Sequence, residues 1–302
     1  MTSTRGRRPI VVGVDPDPSR RSALAWAADE AARRGLPLRL VHAQGMTTGW
    51  YWSGEFRTGR EQWEFREGWE KVARDAGDRV LEEAVAFVGN RHPGVEVSRY
   101  LVDGHPVWAL REQARDATMA VVGSRHLSRT EELLGSASVS LPLTAHAPCP
   151  VVVVPEPEHV TQRPAYFVIG VDGSPDSATA IDFAFEEASL RGAELRALYV
   201  WRPPRLGVLD LSAAEHEGRR VLYESVAGRT ADHPEVVLRH EFVRGHPVQV
   251  LTEASAHALG LVVGSRGHGG FAGMLLGSVS QGVLRHARCP VFVVPSPGRR
   301  AA

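Results

Sequence analysis

Short apolar runs alternate with longer stretches of helical periodicity along most of the chain. In the second half, Tyr166 to Asp172 is apolar, rich in β-branched residues and too short for a helix, which predicts a strand. Ser174 or Asp176 can cap a helix running to about Arg191, with Ala180, Phe183, Ala184 and Ala188 on one face. Gly192 supplies its stop. The pattern then predicts a strand over Glu194 to Val200, a helix around Leu211 to Arg229, a strand over Val236 to Phe242 and a helix over Pro247 to His257. A strand over Gly260 to Gly264, a glycine-rich loop, a helix from near Ser278 and a strand over Val291 to Val294 follow. Strands separated by helices predict an α/β domain: a mainly parallel sheet, helices on both faces, right-handed crossovers.

The first half repeats this order. Ile10-Val11-Val12-Gly13-Val14-Asp15 matches Phe167-Val168-Ile169-Gly170-Val171-Asp172 at an offset of 157 residues. Trp26, Gly35 and Leu38 match Phe183, Gly192 and Leu195 at the same offset. Gly104-His105-Pro106 matches Gly245-His246-Pro247, and Val122-Gly123-Ser124-Arg125 matches Val263-Gly264-Ser265-Arg266, both at 141. Cys149-Pro150-Val151 matches Cys289-Pro290-Val291 at 140. The chain is one domain written twice. It divides into a tail over 1–8, a first domain over 9–155 with an aromatic insertion over 44–70, a linker over 156–164, a second domain over 165–296 and a tail over 297–302.

Charge narrows the function. The 302 residues carry 35 Lys plus Arg against 35 Asp plus Glu, so no basic excess is available to grip nucleic acid or an anionic membrane. A chain that is 43% hydrophobic and 23% charged is globular rather than disordered. No apolar run is long enough to span a bilayer, and the basic start, Met1 to Arg8, leads straight into a strand, so a cytoplasmic location is expected. The only lysine, Lys71, follows no glycine loop, which excludes a Walker-type phosphate loop. Two cysteines, Cys149 and Cys289, make neither a disulfide framework nor a four-cysteine metal site, and no metal ligands are assigned. As repeat equivalents, each is expected to pack within its own domain.

Most of the candidate chemistry lies between Gly264 and Ser280. Six glycines in fourteen residues leave a strand and enter a helix. Glycines admit close approach of main-chain N–H groups to phosphate oxygens, and a helix N-terminus adds unpaired donors and a positive dipole end. Ser278 adds a hydroxyl. A plain strand-to-helix connection accounts for the same glycines. Asp172 ends the first strand of this half, where parallel sheets bind ligands. A carboxylate there suits a ribose hydroxyl or base amine; it equally suits a turn with Gly173-Ser174-Pro175.

On these residues the chain, from about Pro9 to Pro295, resembles a tandem universal stress protein of the actinobacterial type. Gly264, Gly267, Gly277 and Ser278 have that family's ATP-motif spacing of two and nine intervening residues, and Gly-Val-Asp and Cys-Pro-Val fit it at both ends of the domain. The resemblance implies two Rossmann-like domains akin to the adenine nucleotide alpha hydrolases, each a five-stranded parallel sheet of order 3-2-1-4-5. It implies ATP, with Mg2+ as a possible companion. Asp172 would hold the sugar or base, the backbone near Leu198 the adenine, and Gly264, Gly267, Gly277, Ser278 and Val279 the phosphates. Ser265, Arg266, His268, Gly269 and Gly270 belong to the same loop, and Gly170 would line the crevice. A homodimer, a regulatory protein partner and a role in stress or dormancy are implied as well.

In the first half Gly13, Asp15 and Val41 correspond to the strand-end, sugar and adenine positions, and Gly123, Ser124, Arg125, Ser138 and Val139 to the loop. His126 replaces the second glycine, and Ala137 the third when Ser138-Val139-Ser140 is kept in register with Ser278-Val279-Ser280. A side chain at 126 would crowd phosphate if that backbone needs positive φ, so this site is expected to bind nucleotide weakly or not at all. Around Gly264 to Ser280 there is no Asp, Glu or Lys, which argues against efficient hydrolysis, and no catalytic residue is assigned. His126 and His268 read as solvated loop histidines. A slow ATPase or nucleotidyl-transfer enzyme and a nucleotide-free structural dimer are the competing readings. Trp50, Trp52, Trp63 and Trp69 crowd the insertion, as either a lid or dimer surface or a loop packed on its own domain.

Overall fold

Glycine, proline and serine set the element boundaries that the apolar pattern leaves open. The computed structural model describes residues 7–44, 59–124, 139–156, 160–202, 211–267 and 275–296. They fall into two compact units, Met1–Val122 and Gly123–Ala302.

The first unit runs β1 (Ile10–Gly13), α1 (Ser22–Arg34), β2 (Leu38–Gln44), α2 (Gly59–Arg91), β3 (Val97–Asp103), α3 (Pro106–Gln113) and β4 (Met119–Gly123). Its strands are ordered β3-β2-β1-β4 and all pair in parallel. Gly35 closes α1 in the left-handed conformation at φ 61°. α3 starts with Pro106 behind His105, whose Nδ1 accepts from the Val107 N–H at 3.3 Å. α2 has 33 residues, about 50 Å of helix. Residues 59–69 of the aromatic insertion are thus helical backbone; Trp50 and Trp52 lie outside the described residues.

The second unit continues with α4 (Ser140–His146), β5 (Val151–Val154), β6 (Tyr166–Val171), α5 (Pro175–Arg191), β7 (Glu194–Trp201), α6 (Leu211–Val226), α7 (Arg229–Asp232), β8 (Leu238–Arg244), α8 (Pro247–Ala254), β9 (Gly260–Gly264), α9 (Ser278–His286) and β10 (Val291–Val294). The second repeat's five strands lie β8-β7-β6-β9-β10, all parallel, which is the 3-2-1-4-5 order. The sheet does not stop at β10. β5, the last strand of the first repeat, pairs with it antiparallel, Val152 opposite Phe292. That pairing places β5 in the second unit.

β6 reads as a continuous apolar run because helices cover both of its faces. The largest buried side chains, Phe167, Phe185, Phe292, Ile169, Ile181 and Leu195, belong to this layer or to α5. Phe167 meets Phe292 edge to face, with ring centres 5.9 Å apart. Ser174 caps α5 by accepting from the Ser177 N–H at 3.2 Å, Pro175 takes the first turn, and Gly192 ends the helix at φ 56°. Inside α5, Glu187 is fully buried and ion-paired with Arg191, whose guanidinium lies 5.3 Å over Phe167. Glu30 repeats the arrangement in α1 with Arg33 and Arg34.

Two boundaries differ from the pattern. The third strand of the second repeat starts at Leu238 rather than Val236, because the Val236 N–H is used in a turn on His233 O. The helix expected over Leu211 to Arg229 breaks at Gly228, where φ is 84°. Cys149 and Cys289 are buried, and neither is in a disulfide. Burial pushes the Cys289 thiol up to about 11. Among the described residues no helix is long and apolar enough to cross a membrane.

Candidate functional site

β6 and β9 run side by side, Ile169 level with Val262. β6 continues the sheet towards β7, and β9 towards β10. The strand order therefore reverses between them, and a crevice at their carboxyl ends is the expected ligand position of such a sheet.

Asp172 is the first residue past β6. Its Oδ1 accepts from the Ser174 N–H at 2.9 Å, and its own N–H meets Ser177 Oγ at 3.4 Å. The turn read from the sequence is therefore formed, and it uses one carboxylate oxygen. The other, Oδ2, lies against Gly267: a Cβ added to Gly267 would overlap it. Gly267 is not among the positive-φ glycines, so a side chain there would meet the Asp172 carboxylate rather than a backbone constraint. Asp15 makes the same turn in the first repeat, its Oδ1 accepting from the Asp17 N–H at 2.9 Å.

The glycine loop is tied at both ends. Ser265 N–H donates to Val294 O, and Gly277 N–H donates to Ser265 O, each at 2.8 Å. Ser280 Oγ donates to Gly264 O at 2.7 Å, so the head of α9 is fastened to the end of β9. Gly264 is packed: a Cβ would come within 3.1 Å of the Asp176 and Arg266 carbonyl oxygens. Gly277 is not. A Cβ there would meet only ordinary contacts from 3.5 Å outward, and its φ of −67° suits any residue. Among the described residues nothing in the packing calls for glycine at 277, and a glycine there suits close approach of a ligand to the backbone. Among the described residues no side chain caps α9, and the N–H groups of Ser278 and Val279 lie in its first turn, which makes no intrahelical bonds. Ser265 Oγ is buried without a hydrogen-bond partner among the described residues. Uncapped amides, a bare glycine and an orphan hydroxyl fit an anion such as a polyphosphate.

Ladder register draws attention to Val200, two residues beyond Leu198, near which the resemblance puts an adenine contact. Leu198 is buried and level with Gly170 inside the ladder. In the first repeat Val14 N–H donates to Val41 O at 2.9 Å, so the main chain of Val41, and of its counterpart Leu198, is turned towards the first strand of its repeat. Alternate residues of a strand face the same neighbour. β6 ends level with Tyr199, whereas β7 continues to Trp201 against β8. Val200 is thus the residue whose main chain faces the space above the end of β6. Register shows this; residue types do not. Tyr199 stands beside it, stacked on Phe242 at 5.7 Å. Burial first, then the Asp172 and Glu217 carboxylates, push its phenol above the usual range. Gly170 serves packing: a Cβ there would meet Leu251 at 3.1 Å.

Arg266 points elsewhere. Its Nη2 donates to Ser296 Oγ at 3.1 Å and its Nε lies 3.5 Å from Asp176 Oδ2. His268, Gly269 and Gly270 lie outside the described residues, as do Arg125, His126, Ala137 and Ser138 of the first repeat. Gly13, Asp15 and Val41 belong to the first unit, and Gly123, Ser124 and Val139 to the second. Sequence reading missed Ser280, although the repeated Ser-Val-Ser marked it, as well as Val200 and Tyr199. Among the described residues no three His, Cys, Asp or Glu side chains are placed to hold a metal ion.

A sequence profile described as the universal stress protein family matches residues 6–155 and 167–295. A universal stress protein of Mycobacterium tuberculosis strain H37Rv is 36% identical over 302 residues, covering 97% of this chain and 98% of the relative. One from Mycolicibacterium smegmatis is 35% identical over 293 residues, covering 94% and 96%. Among solved structures, a universal stress protein from Archaeoglobus fulgidus superposes with a TM-score of 0.64 at 20% identity, over 97% of this chain and 98% of that one. That likeness speaks for the fold.

Proposed function

The chain belongs to the universal stress protein family, carrying its domain twice, and from that premise we propose that it binds ATP in the crevice of the second repeat and acts as a nucleotide-dependent regulator of a stress or dormancy response. The observation that carries this reading is the head of α9, where, among the described residues, the first-turn N–H groups of Ser278 and Val279 have no side-chain cap and follow a Gly277 that packing does not require. Such a terminus attracts anions through its amides and its dipole. Asp172 Oδ2 would take a ribose hydroxyl, and the Val200 main chain, near the expected Leu198, an adenine edge. The adenine nucleotide supplies the signal; this chain's residues bind and orient it. Mg2+, when present, would arrive with the phosphates. The first repeat contributes little binding on this reading, since His126 and Ala137 replace loop glycines. Homodimer formation, an unidentified regulatory partner and a cytoplasmic location belong to the same proposal.

The test is mass analysis of nucleotide released from purified protein, followed by a turnover assay with Mg2+. Intact ATP without turnover supports regulation by binding. Sustained ADP production indicates an enzyme, and protein that neither carries nor takes up nucleotide indicates a scaffold.

A further inference from the structure

Resting on the nucleotide-binding reading, we infer that Asp176 and Ser296 latch Arg266 and thereby position the phosphate loop. Arg266 sits between Ser265 and Gly267, where the chain leaves β9. Ser265 is fixed through main-chain bonds at both its N–H and its C=O. The next residue is fixed through its side chain. Arg266 Nη2 donates to Ser296 Oγ at 3.1 Å, and Nε lies 3.5 Å from Asp176 Oδ2. Ser296 Oγ donates in turn to the same Asp176 oxygen at 2.6 Å. Ser296 is 5% exposed, and the Asp176 side chain 16%. Three segments are joined: the loop after β9, the first turn of α5 and the chain just past β10. The Asp176 carbonyl is itself pressed against Gly264, the origin of the loop.

This latch settles which groups can face a phosphate. The guanidinium is engaged by Asp176 and Ser296, which leaves a phosphate at the loop to main-chain amides. Asp176 lies in the first turn of α5, where a carboxylate is also favoured by the helix dipole. The duplicated half carries the same three groups with two exchanged. Arg125, Ser19 and Glu156 stand at the positions of Arg266, Asp176 and Ser296. The frames correspond, because Ser124 N–H donates to Val154 O as Ser265 N–H donates to Val294 O, both at 2.8 Å. The correspondence is one of sequence: a basic, an acidic and a hydroxyl residue recur at the three positions, while Ser19 Oγ itself donates to Asp17 Oδ1 at 2.7 Å. Asp176 and Ser296 are positioning residues, acting on nucleotide only through Arg266 and its loop.

Four proteins test this: wild type, Asp176→Asn, Asp176→Ser, and Asp176→Ser with Ser296→Glu, which copies the first repeat's arrangement. Each is titrated with ATP and with adenosine, and amide hydrogen exchange across residues 264–267 is followed without nucleotide. Both single variants should raise the ATP dissociation constant about tenfold, leave adenosine within about twofold and speed loop exchange. The Ser296→Glu partner should recover most of the loss. Unchanged or tighter ATP binding, equal weakening of adenosine, or unchanged loop exchange in Asp176→Asn overturns the latch. If wild type takes up no ATP, the nucleotide reading falls and loop exchange alone decides the latch.

Discussion

Asp172 Oδ2 occupies the space that a Cβ on Gly267 would need. One carboxylate thus closes its own turn through Oδ1 and bounds the glycine loop through Oδ2. Because the obstructing atom is the end of a rotatable side chain, Gly267→Ala should fold and displace Asp172. We expect ATP affinity to fall about tenfold or more, with a thermal midpoint within a few degrees of wild type. Paired thermal melts and ATP titrations check this; unchanged affinity would show that the Asp172 position does not matter.

Ser265→Ala should move stability and binding in opposite directions. Its hydroxyl is buried without a partner among the described residues, so removing it relieves a desolvation cost of about 1 kcal/mol. The apo variant should unfold at higher denaturant than wild type, yet bind ATP more weakly. A variant that is less stable would mean the hydroxyl is satisfied in the apo protein.

Much of this was readable from the sequence. Gly192 and a cap at Ser174 or Asp176 mark both ends of α5, the apolar pattern gives the succession of strands and helices in the second domain, and the repeat offsets show that the first half is its copy. What escaped depends on neighbours distant in the chain. Val151–Val154 and Val291–Val294 read as buried strands, but four valine-rich residues do not say which strand lies alongside, so the antiparallel β5–β10 pair was invisible. Residue type does not show that Gly267 lies against the Asp172 carboxylate. Val200 follows from ladder register, and the partners of Arg266 lie 90 and 30 residues away, beyond any local pattern.

The buried Glu187–Arg191 pair should be costly to break and cheap to replace. Glu187 is completely buried, with Arg191 largely so. Glu187→Ala takes the buried carboxylate away from the Arg191 guanidinium and should cost about 3–5 kcal/mol in urea melts. Replacing both residues, Glu187→Met with Arg191→Leu, should recover most of it. A loss below about 1 kcal/mol in the single variant would contradict the burial of this charge.

Cys289 gives a pH signature. Its folded thiol is pushed up to about 11 from an ordinary 9.0, chiefly by burial. The folded state thus holds a proton that the unfolded state releases. Stability should be unaffected below about pH 9 and decline as pH rises towards about 11. Cys289→Ala should flatten that part of the curve, measured by urea unfolding at successive pH values. A thiol reagent at pH 8 should label Cys289 only after unfolding.

Calorimetric titration of ATP into wild type and into Gly267→Trp tests the central claim most directly. We predict one tight ATP per wild-type chain and loss of that site in the variant, with the protein still folded. Wild type that takes up no ATP, or a Gly267→Trp protein that binds it equally well, would contradict the account.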